Sequence, residues 1–222
     1  MAFSLTASNI YVSSLLSQID WLEHGFGTSS GNPVREGRVA SLTQTHSDAI
    51  HHITGAGEKQ AEGDGMFTSL TELWLSIRTA DCIPILLVDP RAKVIAAVHA
   101  GWRGTVDQIL AKTVTRLTTE CHCLTADLLV AIGPGISACC FEVGSEVADQ
   151  FESAYVSARP AGKVHIDLKK ANVAQLMQVG VKAGNVDVAQ ACTVCTTGFH
   201  SYRGNKTVER MNSAIKIKRG AV

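Results

Sequence analysis

Leu73, Leu75 and Ile77 recur at every second position, which is the period of a half-buried strand. Two short apolar runs follow, IPILLVD (83–89) and VIAAVHA (94–100), separated by the turn-like DPRAK, so this stretch predicts a hairpin-rich, buried sheet. Beyond the GWRG turn the period changes to that of a helix. Val106, Ile109, Leu110, Val114 and Leu117 share one face, and Asp107 is expected in the first turn, where the helix dipole favours an anion. DLLVAI (127–132) predicts a strand closed by a GPG break. A helix is expected over about 143–155, where Val143, Val147 and Phe151 repeat every fourth position. Another is expected over 169–179, burying Val173, Leu176 and Met177 and stopping at Gly180, before VDVAQACTV as a strand. Segments 26–40 and 54–65 are rich in Gly, Ser and polar residues and predict surface loops. This irregular order of strands and helices points to an α+β fold in layers rather than a doubly wound parallel sheet.

Length and charge narrow the function. No repeat or linker divides the 222 residues, so a single domain over 1–222 is expected, with a core large enough to need no staples. Lys plus Arg equals Asp plus Glu at 20 each, which removes the basic footprint of a protein that neutralises phosphates along a nucleic acid. The N-terminus has neither a basic start nor a sustained apolar run, and no stretch approaches a membrane span. A cytoplasmic location without a membrane partner is the expectation. The cysteines at 82, 121, 123, 139, 140, 192 and 195 are then expected to be thiols or ligands. Cys192 and Cys195 form a CxxC, but no second pair stands at ribbon spacing. Cys121, His122 and Cys123 predict a surface connection, and His51 and His52 solvent-facing loop histidines.

Three residues stand out as possible metal ligands. His46, Cys82 and His99 each lie at or beside the end of an apolar strand, where side chains point into a shared cleft. Two imidazoles and a thiolate suit Zn²⁺, and three protein ligands leave a fourth tetrahedral position open for chemistry. Separations of 36 and 17 residues match no compact motif, so spacing alone leaves other readings. Cys82 can be a small buried apolar residue beside hydrogen-bonded histidines, or a nucleophile with His99 as its base.

The segments QTHSD, TADCIPILLVDP, AAVHAGWRGT, AIGPGISACCFEVG and CTVCTTGFHSYR resemble, in order and spacing, the YfiH family, also called laccase-domain or multicopper polyphenol oxidoreductase-like proteins. The resemblance runs from about His24 to Arg210. It implies a mixed, sandwich-like β-sheet core flanked by helices, a zinc site at His46, Cys82 and His99, phosphorolysis of adenosine, inosine, guanosine or methylthioadenosine, and deamination of adenosine. Nucleoside and phosphate are then the partners. The family also carries the label of copper-dependent polyphenol oxidase, and some relatives are tied to peptidoglycan editing. Deamination needs a carboxylate to move protons, for which Asp81 and Asp64 are the candidates, and phosphorolysis needs a cation for the anion, for which Arg103 is one. Arg203, in the SYR segment, either joins that site or ties the C-terminal segment down. Where relatives carry an arginine after the N-terminal HGF, this chain reads HGFGTSSGNP, which leaves Arg35 or Arg38 as substitutes or a different mode of anion binding. Thr196, Thr197 and Gly198 also depart from the family pattern.

Overall fold

The two apolar runs form the hairpin they predict. Strands Ile83–Asp89 and Val94–Ala100 pair antiparallel over their whole length, from Ile83 opposite Ala100 to Asp89 opposite Val94. Asp89 closes the turn by accepting the N–H groups of Arg91 and Ala92, each at 2.8 Å. Every residue of both strands is buried, so both faces of this hairpin are covered.

The computed structural model describes residues 3–55, 61–158 and 163–220. In chain order the strands are β1 (Phe3–Leu5), β2 (Tyr11–Ser13), β3 (Leu22–Phe26), β4 (Arg38–Ala40), β5 (Ile50–His52), β6 (Gly65–Thr68), β7 (Leu73–Thr79), β8 (Ile83–Asp89), β9 (Val94–Ala100), β10 (Leu129–Ile132), β11 (Glu142–Val143), β12 (Val156–Ala158), β13 (Val164–Ile166), β14 (Val186–Val188) and β15 (Met211–Ile217). The helices are α1 (Trp102–Val106), α2 (Ile109–Cys121), α3 (Ser145–Ala148), α4 (Leu168–Gln178) and α5 (Tyr202–Asn205). One mixed sheet has the order β1-β2-β3-β15-β7-β4, a second β14-β10-β8-β9-β6-β5, and a small third sheet β11-β13-β12. The fold is α+β, as the pattern of elements predicts.

Alternation along β8 and β9 explains the layering. Ile83, Ile85, Leu87, Val94, Ala96, Val98 and Ala100 pack with Ile109, Leu110, Val114 and Leu117 of α2. Leu86, Val88, Ile95 and Ala97 face the other way, against Leu75, Ile77 and Ile215 of the first sheet. The second sheet is therefore the filling between the first sheet and the helices. Burying each such aliphatic side chain contributes about 1.5–3 kcal/mol, so this hairpin is the rigid base on which the strand ends are presented.

Several boundaries differ from those predicted. The helix after GWRG is two helices, because Gln108 adopts a left-handed conformation (φ 60°) between them. Asp107 consequently closes α1 instead of opening the long helix. The expected helix over 143–155 shrinks to the single turn α3, since Val143 pairs with Val164 in a sheet and Glu152 is extended. α4 turns Lys169 and Asn172 inward beside Leu176, while Val173 and Met177 are only half-buried. It ends near Gly180, whose φ of +92° suits a residue without Cβ. The strand expected over 186–194 is short, with one isolated bridge from Cys192 to Gly135. Arg38–Ala40 is a strand inside an expected loop, and part of the loop at 54–65 lies outside the described residues. His51 and His52 sit on the edge strand β5, half-buried, with the His52 ring stacked 4.5 Å from that of Phe67.

Candidate metal centre and its two cavities

The C-terminal end of β9, the N-terminal end of β8 and the loop before β5 meet at one end of the second sheet's strands, and they bring His99, Cys82 and His46 together. One ligand atom from each lies within 4.8 Å of the other two. The two imidazole rings stand edge to face, with centroids 5.0 Å apart. His99 is buried, Cys82 half-buried and His46 exposed, so the cluster opens to solvent on the His46 side.

Asp64 organises this cluster from below. It is fully buried just before β6, and its carboxylate faces Nδ1 of His99 at 2.7 Å. The same carboxylate accepts the backbone N–H groups of Thr45, His46 and Ser47 at 3.3, 3.1 and 2.6 Å, and the Ser47 hydroxyl at 2.8 Å. His46 itself is held in the left-handed region (φ 61°), a conformation that persists only where surrounding bonds enforce it. In the neutral imidazole, a carboxylate against Nδ1 keeps the proton there and leaves the Nε2 lone pair of His99 for a cation, whereas the protonated ring donates from Nε2 to the Cys82 thiolate.

The charges follow from this packing. Burial pushes the Asp64 carboxyl up, but hydrogen bonds from His99 and Ser47 outweigh it and hold the group at about 2. Burial likewise opposes charge on Cys82 and His99, yet each stabilises the other's ion. The thiol is drawn down to about 6 by His46 and His99, and His99 is raised to about 9 by Asp64 and Cys82. A thiolate and two imidazoles, with a carboxylate behind one of them, form a donor set suited to a divalent cation. Gly101 follows immediately after β9, and a Cβ there would stand 3.1 Å from both Cys82 Sγ and His46 Cδ2. Only a residue without a side chain leaves the cluster undisturbed.

Two cavities meet at His46, Ala80, Cys82 and Arg210. One, of about 300 Å³, is walled by Trp102, Ile136, Phe141, Leu168 and Tyr202. The other, of about 410 Å³, is lined by Gln44, Arg78 and His99 among others. Asp81 borders the first cavity, with one oxygen accepting the Thr193 hydroxyl at 2.6 Å and the other the Arg203 N–H at 2.8 Å.

The remaining residues singled out from the sequence are placed differently. Asp64 lies beneath His99 with five donors on its carboxylate, so it has no acceptor capacity left to move protons in the cavity. Arg103 is exposed, with its guanidinium 4.4 Å from the Trp102 ring centroid, and it lines neither cavity. Arg35 donates to Ser8 Oγ at 3.0 Å and Arg38 to the Thr71 carbonyl at 3.3 Å, both away from the cluster. Arg203 borders the first cavity while its guanidinium donates to the carbonyls of Cys140 and Glu142, at 3.4 and 2.7 Å. Arg78 and Arg210 were not marked by any motif. For Arg78 a signal existed: it stands one position before TADC, on the polar side of the Leu73, Leu75, Ile77 alternation.

In fold class the protein is of the YfiH and YlmD type. It superposes on the crystal structure of YlmD from Geobacillus stearothermophilus with a TM-score of 0.87 and 25% identity, covering 98% of this chain and 99% of that one. The YfiH structure from Bacillus licheniformis gives 0.86 at 25% identity, over 97% and 99% of the two chains. Residues 29–218 match the family described as multi-copper polyphenol oxidoreductase laccase, and the chain belongs to that family. Its relatives include a purine nucleoside phosphorylase of Clostridium acetobutylicum, 35% identical over 80% of this chain and 76% of the relative. Another is the adenosine deaminase RL5 of an unknown prokaryotic organism, 43% identical over 72% of this chain and 67% of that protein.

Proposed function

We propose that this chain is a single-domain purine nucleoside phosphorylase that also deaminates adenosine, with a zinc ion held by His46, Cys82 and His99. The observation that carries the proposal is the convergence of those three donors, backed by Asp64, at the junction of an apolar cavity and a cationic one. The names of the relatives supply the substrate class. When bound, zinc supplies a Lewis acid that makes water nucleophilic at neutral pH.

The chain's own residues divide the remaining work. Trp102, Phe141 and Tyr202 offer flat surfaces for a purine beside Ile136 and Leu168. Arg78 and Arg210 line the second cavity and supply positive charge for phosphate. The Arg78 guanidinium has no partner among the described residues, so it is free to take a bidentate anion. Asp81 uses two of its roughly four acceptor positions and faces the purine side, which leaves it able to carry a proton to or from the base. Asp64 acts through His99, as a positioning residue.

Zinc is preferred to copper because no methionine lines either cavity to complete a blue-copper set. Among the described residues, the other potential metal group contains no histidine. A second reading rests on the same contacts: Asp64, His99 and Cys82 follow one another as the acid, base and nucleophile of a cysteine hydrolase. The test is a product screen. Purified protein with zinc, adenosine and phosphate should yield adenine, inosine or hypoxanthine, and His99→Ala should abolish both turnover and bound zinc. Formation of none of the three products rejects the proposal. Rapid alkylation of Cys82 in zinc-loaded protein, with loss of a hydrolase activity, would favour the cysteine reading.

A further inference from the structure

A second group of donors lies outside the site described above. The Sγ atoms of Cys139, Cys140, Cys192 and Cys195 all lie within 4.8 Å of one another. Cys140 and Cys195 are 2.9 Å apart and Cys139 and Cys195 3.4 Å. Four thiolates around one zinc ion, with Zn–S bonds near 2.3 Å, stand about 3.8 Å from each other. The observed cluster needs only side-chain adjustments to reach that arrangement.

We propose that Cys139, Cys140, Cys192 and Cys195 bind a structural zinc ion as a tetrathiolate clip. The turn at 192–195 is shaped for it. Thr196 donates its N–H to the Cys192 carbonyl at 2.9 Å, closing the CxxC turn. Ser137 donates its N–H to Cys192 Sγ at 3.4 Å, and the N–H groups of Val194 and Cys195 face the same sulfur. Donors of this kind stabilise a thiolate ligand. Four thiolates and one divalent ion leave two negative charges, which call for a nearby cation. Lys169 supplies one: it is buried, its ammonium donates to the carbonyls of Ala189 and Ala191 at 2.8 Å each, and it interacts electrostatically with Cys192 and Cys139. On binding, each thiol proton passes to solvent as its sulfur joins the metal, and no electron is transferred.

The clip would fasten the far wall of the apolar cavity. It joins the loop that carries Ile136 and Phe141, both lining that cavity, to the loop whose Thr193 hydroxyl holds Asp81. The Arg203 guanidinium adds a third strut through the Cys140 carbonyl. Four closed ligands make this a scaffold, in contrast to the open three-ligand cluster at His46, Cys82 and His99.

The experiment is metal counting on the full chain, produced with zinc and kept in reductant. Wild type should hold two zinc ions per chain and Cys139→Ser/Cys195→Ser one, with unchanged circular dichroism because both positions are exposed. Reconstitution with cobalt separates the sites. Thiolate-to-cobalt absorbance should fall to about one fifth in the double serine variant, and by about one fifth in His46→Ala/His99→Ala. The clip is overturned by a wild-type count of one that the serine variant retains. It is also overturned by an intact mass showing a Cys140–Cys195 disulfide and no second metal. The His46→Ala/His99→Ala result bears only on the first site, so failure of either assignment is visible by itself.

Discussion

Replacing Asp64 by asparagine removes a charge without changing shape, and the contacts predict what that does. Five donors converge on the carboxylate, three on one oxygen and two on the other. An amide has one acceptor oxygen. If it serves Thr45 and Ser47, the new NH₂ group faces the His46 N–H and Nδ1 of His99. The only favourable pairing then makes Nδ1 the acceptor, which moves the His99 proton to Nε2 and removes the lone pair directed toward Cys82. Hydrogen bonds to charged groups contribute about 1.5–3 kcal/mol each, and an unpaired buried donor costs a further ~1–3 kcal/mol, so Asp64→Asn should lose about 3–5 kcal/mol. Zinc affinity should drop by about 10–100-fold or more, the range for a group that orients a ligand. Chelator competition measures the affinity, calorimetry of metal-free protein the stability. Wild-type affinity and melting temperature in Asp64→Asn would refute the role given to this carboxylate.

Other expectations are equally direct. Gly101→Ala should cut zinc occupancy and turnover at least about tenfold, because its Cβ presses on Cys82 and His46 at 3.1 Å; metal analysis and rate measurements check it. Arg78→Ala should raise KM for phosphate about tenfold or more while leaving adenosine deamination nearly unchanged. His24 accepts the Ser13 N–H at Nε2, 3.0 Å away, and burial lowers its pKa to about 4. The unfolded chain, titrating near about 6.5, therefore binds the proton first, and up to about 3 kcal/mol of stability present above that pH is lost as pH falls toward about 4. Denaturant titrations across this window, compared with His24→Gln, should show the slope in wild type only. Ile85→Ala, at a fully buried position on β8 that packs with α2, should cost about 2–5 kcal/mol in the same assay.

Local pattern carried the elements built by local rules. The β8–β9 hairpin was legible because both its faces are apolar and Asp89 makes its own turn. α2 was legible in its buried stripe, though not in its start, since the left-handed residue that sets the break is a glutamine and not a glycine. His46, Cys82 and His99 stood out by donor type and strand-end position, but their spacing matches no compact motif, and only the resemblance to known segments separated the metal reading from its alternatives. Their convergence depends on Asp64, whose bonds span 17 to 35 residues. The four-thiol cluster escaped for the same reason: a parallel bridge between Gly135 and Cys192 brings an adjacent pair beside a distant CxxC. Sequence spacing is blind to such contacts.

The place of β15 bears on how the molecule is made. This strand lies between β3 and β7, holding five paired positions on each side, and the segment just before it carries Arg203 and Arg210 to the cavities. Until residues 211–217 have been synthesised, β3 can have only β2 beside it and β7 only β4. The two edges that face each other stay unpaired until that segment slots between them, and an unpaired edge is a template for pairing with another chain. The arrival of Arg203 and Arg210 at the cavities is thus tied to the same late-made segment that seals the sheet.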